Sequence, residues 1–527
     1  MPTSQRVWRA VVRIAVVMAC VEAAGVPAAQ AQARADTLSP PAAPRPAAPL
    51  PTVQALEAEL PGEPITLDAL LRIAARDALA GRAAVAEAQR AEGDLWRANR
   101  MPDPRLGMRT GVASDLFGGT SRLAVNNVVE GMAGLPWGTD VLVAYERQDG
   151  SGFDPLRQLA APSVMSVSVS QPLFAGRQER GATWRSASRE RAAVALIEQR
   201  TREEVAATIE GLYWSLAESQ SVEAVRARSL ALSEALLVRN AQLASLDLVA
   251  EADLLAVQSG VALRRAALLA ARQARRERSD ALVFAAYGAR AEARLAREAP
   301  PLKVPAEAGE TAGMSDATAT MQTGAMERAN QPDLNDAGTL DRRADVRAAR
   351  ERRAAAEVRA ALARATLRPT VSLEGGWAAV TEPTSLGGAG TLPGVARGWS
   401  AGLTVSAPLI NRRDRGRVLV ADAEETLEAL RVQAAENVAR EEVRAAVRAL
   451  RFAGERRQVL DEAAQLAARQ SDAERRRWEL GLGDAFRVLQ AEDVAVQAAL
   501  EAVRARYEML RAQARYKLAT GTLRALP

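Results

Sequence analysis

The stretch "SVSVSQPLF", residues 166–174, decides how this chain folds, because it alternates like a β-strand and then stops at a proline. A second stretch, "GLTVSAPLI" at 402–410, repeats this design. In both, apolar residues alternate with small or hydroxylated ones, and a long helical pattern follows. We therefore expect the same strand-to-helix turn twice, with Pro172 and Pro408 at the turn, where a missing amide is tolerated.

The order of elements around the two stretches also recurs. Before the first, a helical pattern starts at Thr66, which can cap it, and stops at "MPDP" (101–104). Strand-like sequence fills 105–174, and helical sequence runs over 179–287 with a break near "SLDLVAE" (245–251). The chain thus reads as helix, strands, long helix, break and helix.

The second half gives the same order. A helical pattern ends at Pro369, and "TVSLEGGWAAV" and "GWSAGLTVSAPLI" read as strands around a glycine-rich loop. A long helix is then predicted over 414–479, with a break at "LGLGD" (480–484) and a last helix to Leu518. This recurrence indicates an internal duplication.

The predicted helices are too long for an ordinary globular core. A helix of about 65 residues is roughly 100 Å long. In the last helix apolar residues follow a three-four alternation with one polar intruder, Asp493: Phe486, Leu489, Val496, Leu500, Val503, Tyr507 and Leu510. Similar spacing links Val205, Ile209, Leu212 and Leu216. We expect long antiparallel helix pairs that pack as coiled coils.

The strands pose a different problem, since the sequence yields only about four. Four strands leave two open edges and cannot enclose anything. Their alternation fits a half-buried soluble sheet, and it equally fits a membrane barrel with apolar residues outside. In lipid the edges would have to close, which requires several copies of the chain.

Composition argues against an enzyme. The chain has no histidine and one cysteine, so histidine-based catalysis, histidine metal sites and an internal disulfide lose their support. Acidic and basic residues alternate along the helices, which is typical of solvated helix faces. The net charge is +5, and no basic block is interleaved with aromatic residues. We therefore predict no catalytic residue, no cofactor, no metal and no nucleic-acid partner.

The N-terminus has the order of a secretory signal. Arg6, Arg9 and Arg13 precede the apolar "IAVVMAC", and small residues follow. Cleavage after 31–33 (Ala-Gln-Ala) would discard the lone cysteine, whereas cleavage before Cys20 would leave it for lipidation; both alternatives stay open. No uninterrupted apolar stretch of 18 or more residues occurs elsewhere, so we predict export without a transmembrane helix.

The sequence thus divides into six segments: a signal (1–33, or ending before Cys20), a proline-rich extended arm (34–64), a first repeat (65–299), a linker or insertion (300–340), a second repeat (341–520) and a tail (521–527).

Several motifs, in order, resemble the TolC/OprM-type outer-membrane efflux proteins. They are "ITLDALLRIA" (65–74) with "MPDPRLGM" (101–108), "VSQPLF" (169–174), the entry to the second repeat from Arg343, and "RRRWELGLGDAFRVLQAE" (475–492). The resemblance covers roughly 65–520, apart from 300–340. It implies a mainly α fold with a membrane β-barrel, in which a homotrimer shares twelve strands, four from each chain, and its helices form a periplasmic tunnel.

The resemblance also implies a function. The chain would be the passive outer-membrane duct of a tripartite efflux system, working with a periplasmic adaptor and an inner-membrane pump. Alternatively, it would serve a type I protein secretion system. An alternative function from a different class of protein is that of a periplasmic coiled-coil adaptor or scaffold. The repeated amphipathic strands argue against it. The exported cargo stays open.

Two sites follow from the resemblance. The helical breaks would be periplasmic tips that contact the adaptor, through Leu246, Leu248, Gly481, Leu482 and Gly483. Just beyond them, family members often carry aspartates at the aperture. Aligning the tips matches Asp253 with Arg487, and Ala256 with Gln490. Because Arg487 and Gln490 depart from an acidic ring, we hypothesise that an Asp253–Arg487 contact closes the entrance; ordinary surface charges are the alternative.

Overall fold

The computed structural model describes most of the chain after residue 51. The described ranges are 52–99, 103–117, 120–150, 163–173, 175–245, 251–296, 300–305, 337–381, 395–407, 410–480 and 482–523. The signal segment and Cys20 lie outside them, as does Pro408.

In each half of the chain, the strands come after the short helices and before the long helix. The six described strands form one antiparallel sheet. Its strands are β2 (Arg105–Phe117), β3 (Thr120–Gly134), β4 (Asp140–Gly150), β5 (Ser163–Pro172), β7 (Thr370–Thr381) and β8 (Val395–Ser406). They are arranged in the order β2-β3-β4-β5-β7-β8. Because β5 pairs with β7, the sheet joins the two halves of the chain.

The prediction of about four strands was therefore wrong. Within the described residues the first half contributes two hairpins, β2–β3 and β4–β5, and the second half contributes one, β7–β8. Sequence reasoning missed β3, where charged and small residues weaken the alternation. A Gly-Gly dipeptide at 118–119 separates β2 from β3, and it was the available signal, since such pairs favour two-residue hairpin turns.

Helices form most of the rest of the described chain. They are α1 (Val53–Glu59), α2 (Leu67–Asp77), α3 (Leu79–Arg97), α4 (Ala175–Ala244), α5 (Glu251–Tyr287), α6 (Ala291–Leu295), α7 (Ala337–Arg342), α8 (Ala344–Ala365), α9 (Arg412–Glu479) and α10 (Ala485–Ala519). Two of them, with 70 residues in α4 and 68 in α9, are about 100 Å long.

The lengths of the long helices match between the halves. In the first half α4 and α5 have 70 and 37 residues, and in the second α9 and α10 have 68 and 35. Each pair packs as a hairpin, α8 lies against both α4 and α9, and α10 lies against α4. This correspondence supports the interpretation as a duplication.

The main hydrophobic core lies midway along the helices, where the ends of several segments meet. Leu70 of α2, Leu216 of α4 and Leu282 of α5 are fully buried there. A two-stranded parallel sheet joins β1 (Glu63–Pro64) to β6 (Leu302–Lys303). This core gathers α2, α4, α5 and α10 around the small sheet.

The core corrects two segment predictions. The extended arm at 34–64 was wrong for Val53–Glu59, which is a helix capped by Thr52. The linker at 300–340 was wrong at both ends: Leu302 and Val304 are buried, and α7 begins at Ala337. Short apolar segments with few periodic positions give little signal in a sequence, although burial fixes them in the fold.

The first helical pattern was read as a single helix but is two. Thr66 caps α2 as expected, accepting from the amide of Ala69 at 3.4 Å. Ala78 then adopts an extended conformation and separates α2 from α3. Nearby, Gly288 follows α5 at a φ of +51°, and a Cβ there would lie 2.3 Å from the carbonyl oxygen of Asp77. Glycine is thus required where the two segments touch.

One helical stretch, Leu254–Leu295, is long and apolar enough by length and composition to cross a membrane. Its Arg264 and Arg265 nevertheless form ion pairs with Asp493 of α10 and Glu234 of α4. These contacts place it within the helix bundle, as expected for a packed helix of a hairpin.

Candidate functional site: an apolar sheet face and paired helical tips

One face of the six-stranded sheet is apolar across all its strands. Residues paired directly across antiparallel strands share a face, so the registers define it. Its large apolar side chains are Leu106, Met108, Val129, Val141, Val143, Tyr145, Met165, Val167, Val169, Val371, Leu373, Trp377, Val395, Trp399, Leu403 and Val405. We call this set the apolar face. Trp399, at 82% exposure, shows how little a single chain covers it.

The opposite face, which we call the polar face, has a different composition. In β5 it presents Ser166, Ser168 and Ser170, and in β8 it presents Gly402 and Thr404. Its charged members include Arg109, Glu130, Glu146 and Glu374. By the strand registers, the charged residues of the apolar face in the described sheet are Arg147, Asp149 and Arg397, all near the strand ends far from the helices. The two faces of the sheet therefore suit different environments, one apolar and the other polar.

Polar contacts fix the end of the sheet where strands meet helices. Arg180 of α4 forms an ion pair with Asp140 at 2.6 Å and donates to the carbonyl of Leu135 at 3.4 Å. These contacts tie the β3–β4 turn to the helices. Pro172 is the last residue of β5, and α4 begins three residues later. The equivalent turn at Pro408 lies outside the described residues.

The tip between α9 and α10 exposes large apolar side chains. Leu480 is 75% exposed, Leu482 70% and Phe486 61%. Asp484 caps α10 by accepting from the amide of Phe486 at 3.0 Å. Phe486 was expected in the packed seam, which was wrong, because it precedes the first turn that faces other helices. Neither Phe486 nor Leu480 was singled out for docking, although Leu480 begins the predicted break and Phe486 closely follows it.

Of the other residues expected at the tips, Gly483 lies in the turn, where a Cβ would come within 3.2 Å of the amide nitrogen of Trp478. Glycine therefore lets the chain pass close to the end of α9. Leu246, Leu248 and Gly481 lie outside the described residues.

A small core joins the tips of the two hairpins. Leu236 of α4, Val257 of α5 and both Val488 and Leu489 of α10 are buried together. Trp478 of α9 packs against this core, and the guanidinium of Arg239 lies 4.7 Å from its ring centre. The tips of the two halves are thus packed on each other.

Just behind this core, an ion pair bridges the hairpins. The Arg264 guanidinium on α5 lies 2.5 Å from the Asp493 carboxylate on α10. Arg264 also donates to the hydroxyl of Ser229 on α4 at 3.2 Å. Asp493 had been noticed only as the polar intruder in the apolar seam, and this interruption was the signal for the bridge.

The residues expected at the aperture do not show such a bridge. Arg487 and Gln490 are exposed on α10, and within the described part of the chain Arg487 has no ion pair. The side chain of Asp253 lies outside the described residues, so the Asp253–Arg487 contact stays a prediction.

Next to the bridge, Glu492 is buried at 3% exposure, and neither carboxylate oxygen has a hydrogen-bond partner among the described residues. Burial raises its pKa, opposed by the charges of Arg475 and Arg264 and reinforced by those of Asp493 and Asp472. Sequence reasoning missed the burial of Glu492, since this residue lies among many charged helix residues. Glu492 is thus a buried carboxyl group without a described hydrogen-bond partner, next to the core that joins the tips.

A second charged cluster locks the far end of α10. The buried Arg343 makes two hydrogen bonds to Asp345, at 3.0 and 2.6 Å, and one to Glu442 at 2.6 Å. It also donates to the carbonyl of Ala519 at 3.1 Å, which caps α10. Although burial alone would raise the pKa of Asp345, the hydrogen bonds and charge of Arg343 hold it below its usual value.

Among the described residues, no group of three or more acidic, histidine or cysteine side chains is placed to hold a metal ion.

Comparison with known proteins places this geometry in context. Residues 338–522 match the family described as outer membrane efflux protein. No curated protein sequence matches the chain.

Solved structures match the whole architecture. The VceC outer membrane protein of Vibrio cholerae has a TM-score of 0.62 at 16% identity, covering 89% of this chain and 99% of that one. The CmeC outer membrane channel of Campylobacter jejuni gives 0.62 at 13%, covering 88% and 87%. The MtrE outer membrane channel of Neisseria gonorrhoeae, in its open state, gives 0.60 at 16%, covering 87% and 90%. At these identities the likeness establishes the fold.

Proposed function

Because residues 338–522 match the outer membrane efflux protein family and the fold is that of solved outer membrane channels, we propose that the chain belongs to this family and is the exit duct of a tripartite efflux system. These comparisons support the resemblance seen in the sequence, and the outer-membrane location is part of the proposal. The tripartite assembly, the trimer and the docking surfaces are our proposals.

The observation that carries this proposal is the apolar face. On β8 it runs from Val395 to Val405, eleven residues that span about 33 Å along the strand. At a strand tilt of about 40°, this matches the roughly 25 Å apolar band of outer-membrane barrels. Arg147 and Arg397 lie near the far ends of their strands, where long cationic side chains can reach lipid headgroups. The polar face then lines an aqueous lumen.

The long helices support assembly from several copies. On α9, Val438, Phe452, Val459 and Leu466 are spaced by multiples of seven and each is more than half exposed. An apolar stripe at heptad spacing is typical of a seam with another helix. Since nothing in the described chain covers this stripe, we propose that neighbouring copies of the chain do, in the trimer that the resemblance implies.

The duct is passive in this proposal, and the pump supplies the energy. One-step protein secretion uses a duct of the same design, so it remains the second candidate, distinguished by the partner pump. The apolar face disfavours a soluble adaptor or scaffold. In such a protein the apolar face, on strands of up to 15 residues, would be exposed to water.

We propose that the adaptor docks at the tips. The exposed Leu480, Leu482 and Phe486 form an apolar cluster at the end of a hairpin otherwise rich in charge. Apolar side chains exposed together mark interaction sites. Gly481 and Gly483 would let the adaptor approach the backbone.

We also propose that the Arg264–Asp493 bridge holds the entrance closed. It joins the two hairpins directly behind the tip core. Opening the tips would require the hairpins to separate, which would break the pair. It is a better-supported closing contact than Asp253–Arg487.

The first experiment is the native mass of the protein extracted with detergent from a separated outer-membrane fraction, followed by conductance in planar bilayers. A mass of about three chains and stable channels are expected. A soluble periplasmic monomer without conductance would contradict the duct and favour the scaffold.

A further inference from the structure

The sheet ends in two strands that are paired on one side only. These edges are β2 and β8. In lipid an unpaired edge is costly, because its amides and carbonyls find no water. If the apolar face contacts lipid, as the proposed function requires, both edges must be paired. This inference therefore rests on the proposed function.

The two edges suit each other. β2 has 13 residues and leads away from the helices, whereas β8 has 12 and leads back towards them, so they would pair antiparallel. All residues of β8 are exposed. Aligning the ends nearest the helices places Leu106 beside Val405, both on the apolar face, and Arg109 beside Gly402, both on the polar face.

The additional hairpin β2–β3 is an integral part of this sheet. Every residue of β4 has a partner on β3, so the ladder is continuous. The β3–β4 turn is also held by Arg180, through Leu135 and Asp140. A barrel built only from β4, β5, β7 and β8 would have to break this ladder along its whole length.

We propose that β8 of one copy pairs with β2 of the next, and that three copies with six strands each close a barrel of 18 strands. The resemblance implied twelve strands. Since barrel diameter grows roughly linearly with strand number, this barrel is about one and a half times as wide. Barrels of this strand number leave an aqueous channel.

Disulfide cross-linking tests the proposal in the membrane-embedded full-length protein. The test variant carries Arg109→Cys with Gly402→Cys, and Gly402 has open space for a Cβ. Ser400→Cys and Thr404→Cys in place of Gly402→Cys cover neighbouring registers on the same face. The matched variant carries Glu146→Cys with Gly402→Cys, because Glu146 on β4 lies level with Arg109 across the sheet. The unsubstituted protein controls for Cys20.

Oxidation of at least one β2–β8 variant is expected to convert most of the monomer band to covalent dimers and trimers on a denaturing gel, while the β4–β8 variant stays monomeric. Covalent trimers from the β4–β8 variant alone would overturn the 18-stranded barrel and leave the duct intact. A native monomer without cross-links in any variant would overturn both.

Discussion

Arg264 and Asp493 connect the two halves of the chain at the point where the two hairpins come together, with 2.5 Å between guanidinium and carboxylate. Arg264 is nearly buried, with 10% of its side chain exposed, whereas 67% of Asp493 is exposed. The arginine therefore has a fixed place, held further by Ser229, and the aspartate supplies the contact that can be released.

Asp493→Asn is expected to raise channel opening. With Asp493 so exposed, the pair contributes about 1 kcal/mol, which corresponds to about a five-fold change in the open fraction. Planar-bilayer recordings measure it. Glu234→Gln is the control, because its partner Arg265 is the neighbour of Arg264 but joins α5 only to α4 of the same hairpin. Equal opening in both variants would contradict the gate.

Leu482→Asp is expected to weaken adaptor binding at least about ten-fold, since a charge would disrupt the apolar cluster at the tip. Co-purification with the adaptor of the same system measures the loss. Leu419→Asp is the matched control, because Leu419 has nearly the same exposure, 72% against 70%, but lies near the sheet end of α9. A bulky Gly481→Trp should also impair docking; retained binding in both tip variants would exclude this surface.

Glu492→Gln is expected to stabilise the protein at pH 8 and to change little near pH 4. Its raised pKa means that the folded state binds more protons than the unfolded state. Stability therefore falls as the pH rises from about 4.3 through the folded pKa. The midpoint of thermal unfolding across this range measures the effect.

The control for this variant is Glu455→Gln, an exposed glutamate on α9 paired with Arg451. It should show no gain in thermal midpoint. A Glu492→Gln gain that is the same at both pH values would mean that the buried charge is not its cause.

Asp345→Asn is expected to lower stability at pH 7 by about 1–2 kcal/mol, because the buried Arg343 loses one of its two carboxylate partners and keeps only Glu442. Since the folded pKa of Asp345 is depressed, its contribution is complete above the unfolded pKa of about 3.9 and is lost as the pH falls through the folded pKa. The difference between the thermal midpoints of the two proteins should shrink in acid. A difference that persists unchanged to pH 3 would argue against the ion pair.

The sequence predicted the long helices and the order of the two halves well. Their signals are strong, since apolar residues recur over dozens of positions and prolines mark the ends, as at Pro172 and Pro369. The Thr66 cap was also readable, because capping depends on neighbours in the sequence.

Other features depend on contacts that a sequence does not display. β3 is a strand because β2 and β4 flank it, although its own alternation is weak. Glu492 is buried because helices from both halves meet there, whereas the side chain of its neighbour Asp493 is largely exposed. The exposure of Phe486 likewise follows from where the hairpin ends.

The hairpin topology has a consequence for how the protein is assembled. All strands leave from and return to the helical side, so only the links at the far ends of β2–β3, β4–β5 and β7–β8 have to be carried across a bilayer. These links have two, twelve and thirteen residues. They contain three charged residues, Asp154, Arg157 and Glu382. Because translocating charge through hydrocarbon is the expensive step, a sheet that spans the outer membrane as proposed would meet a low barrier to insertion from the periplasmic side.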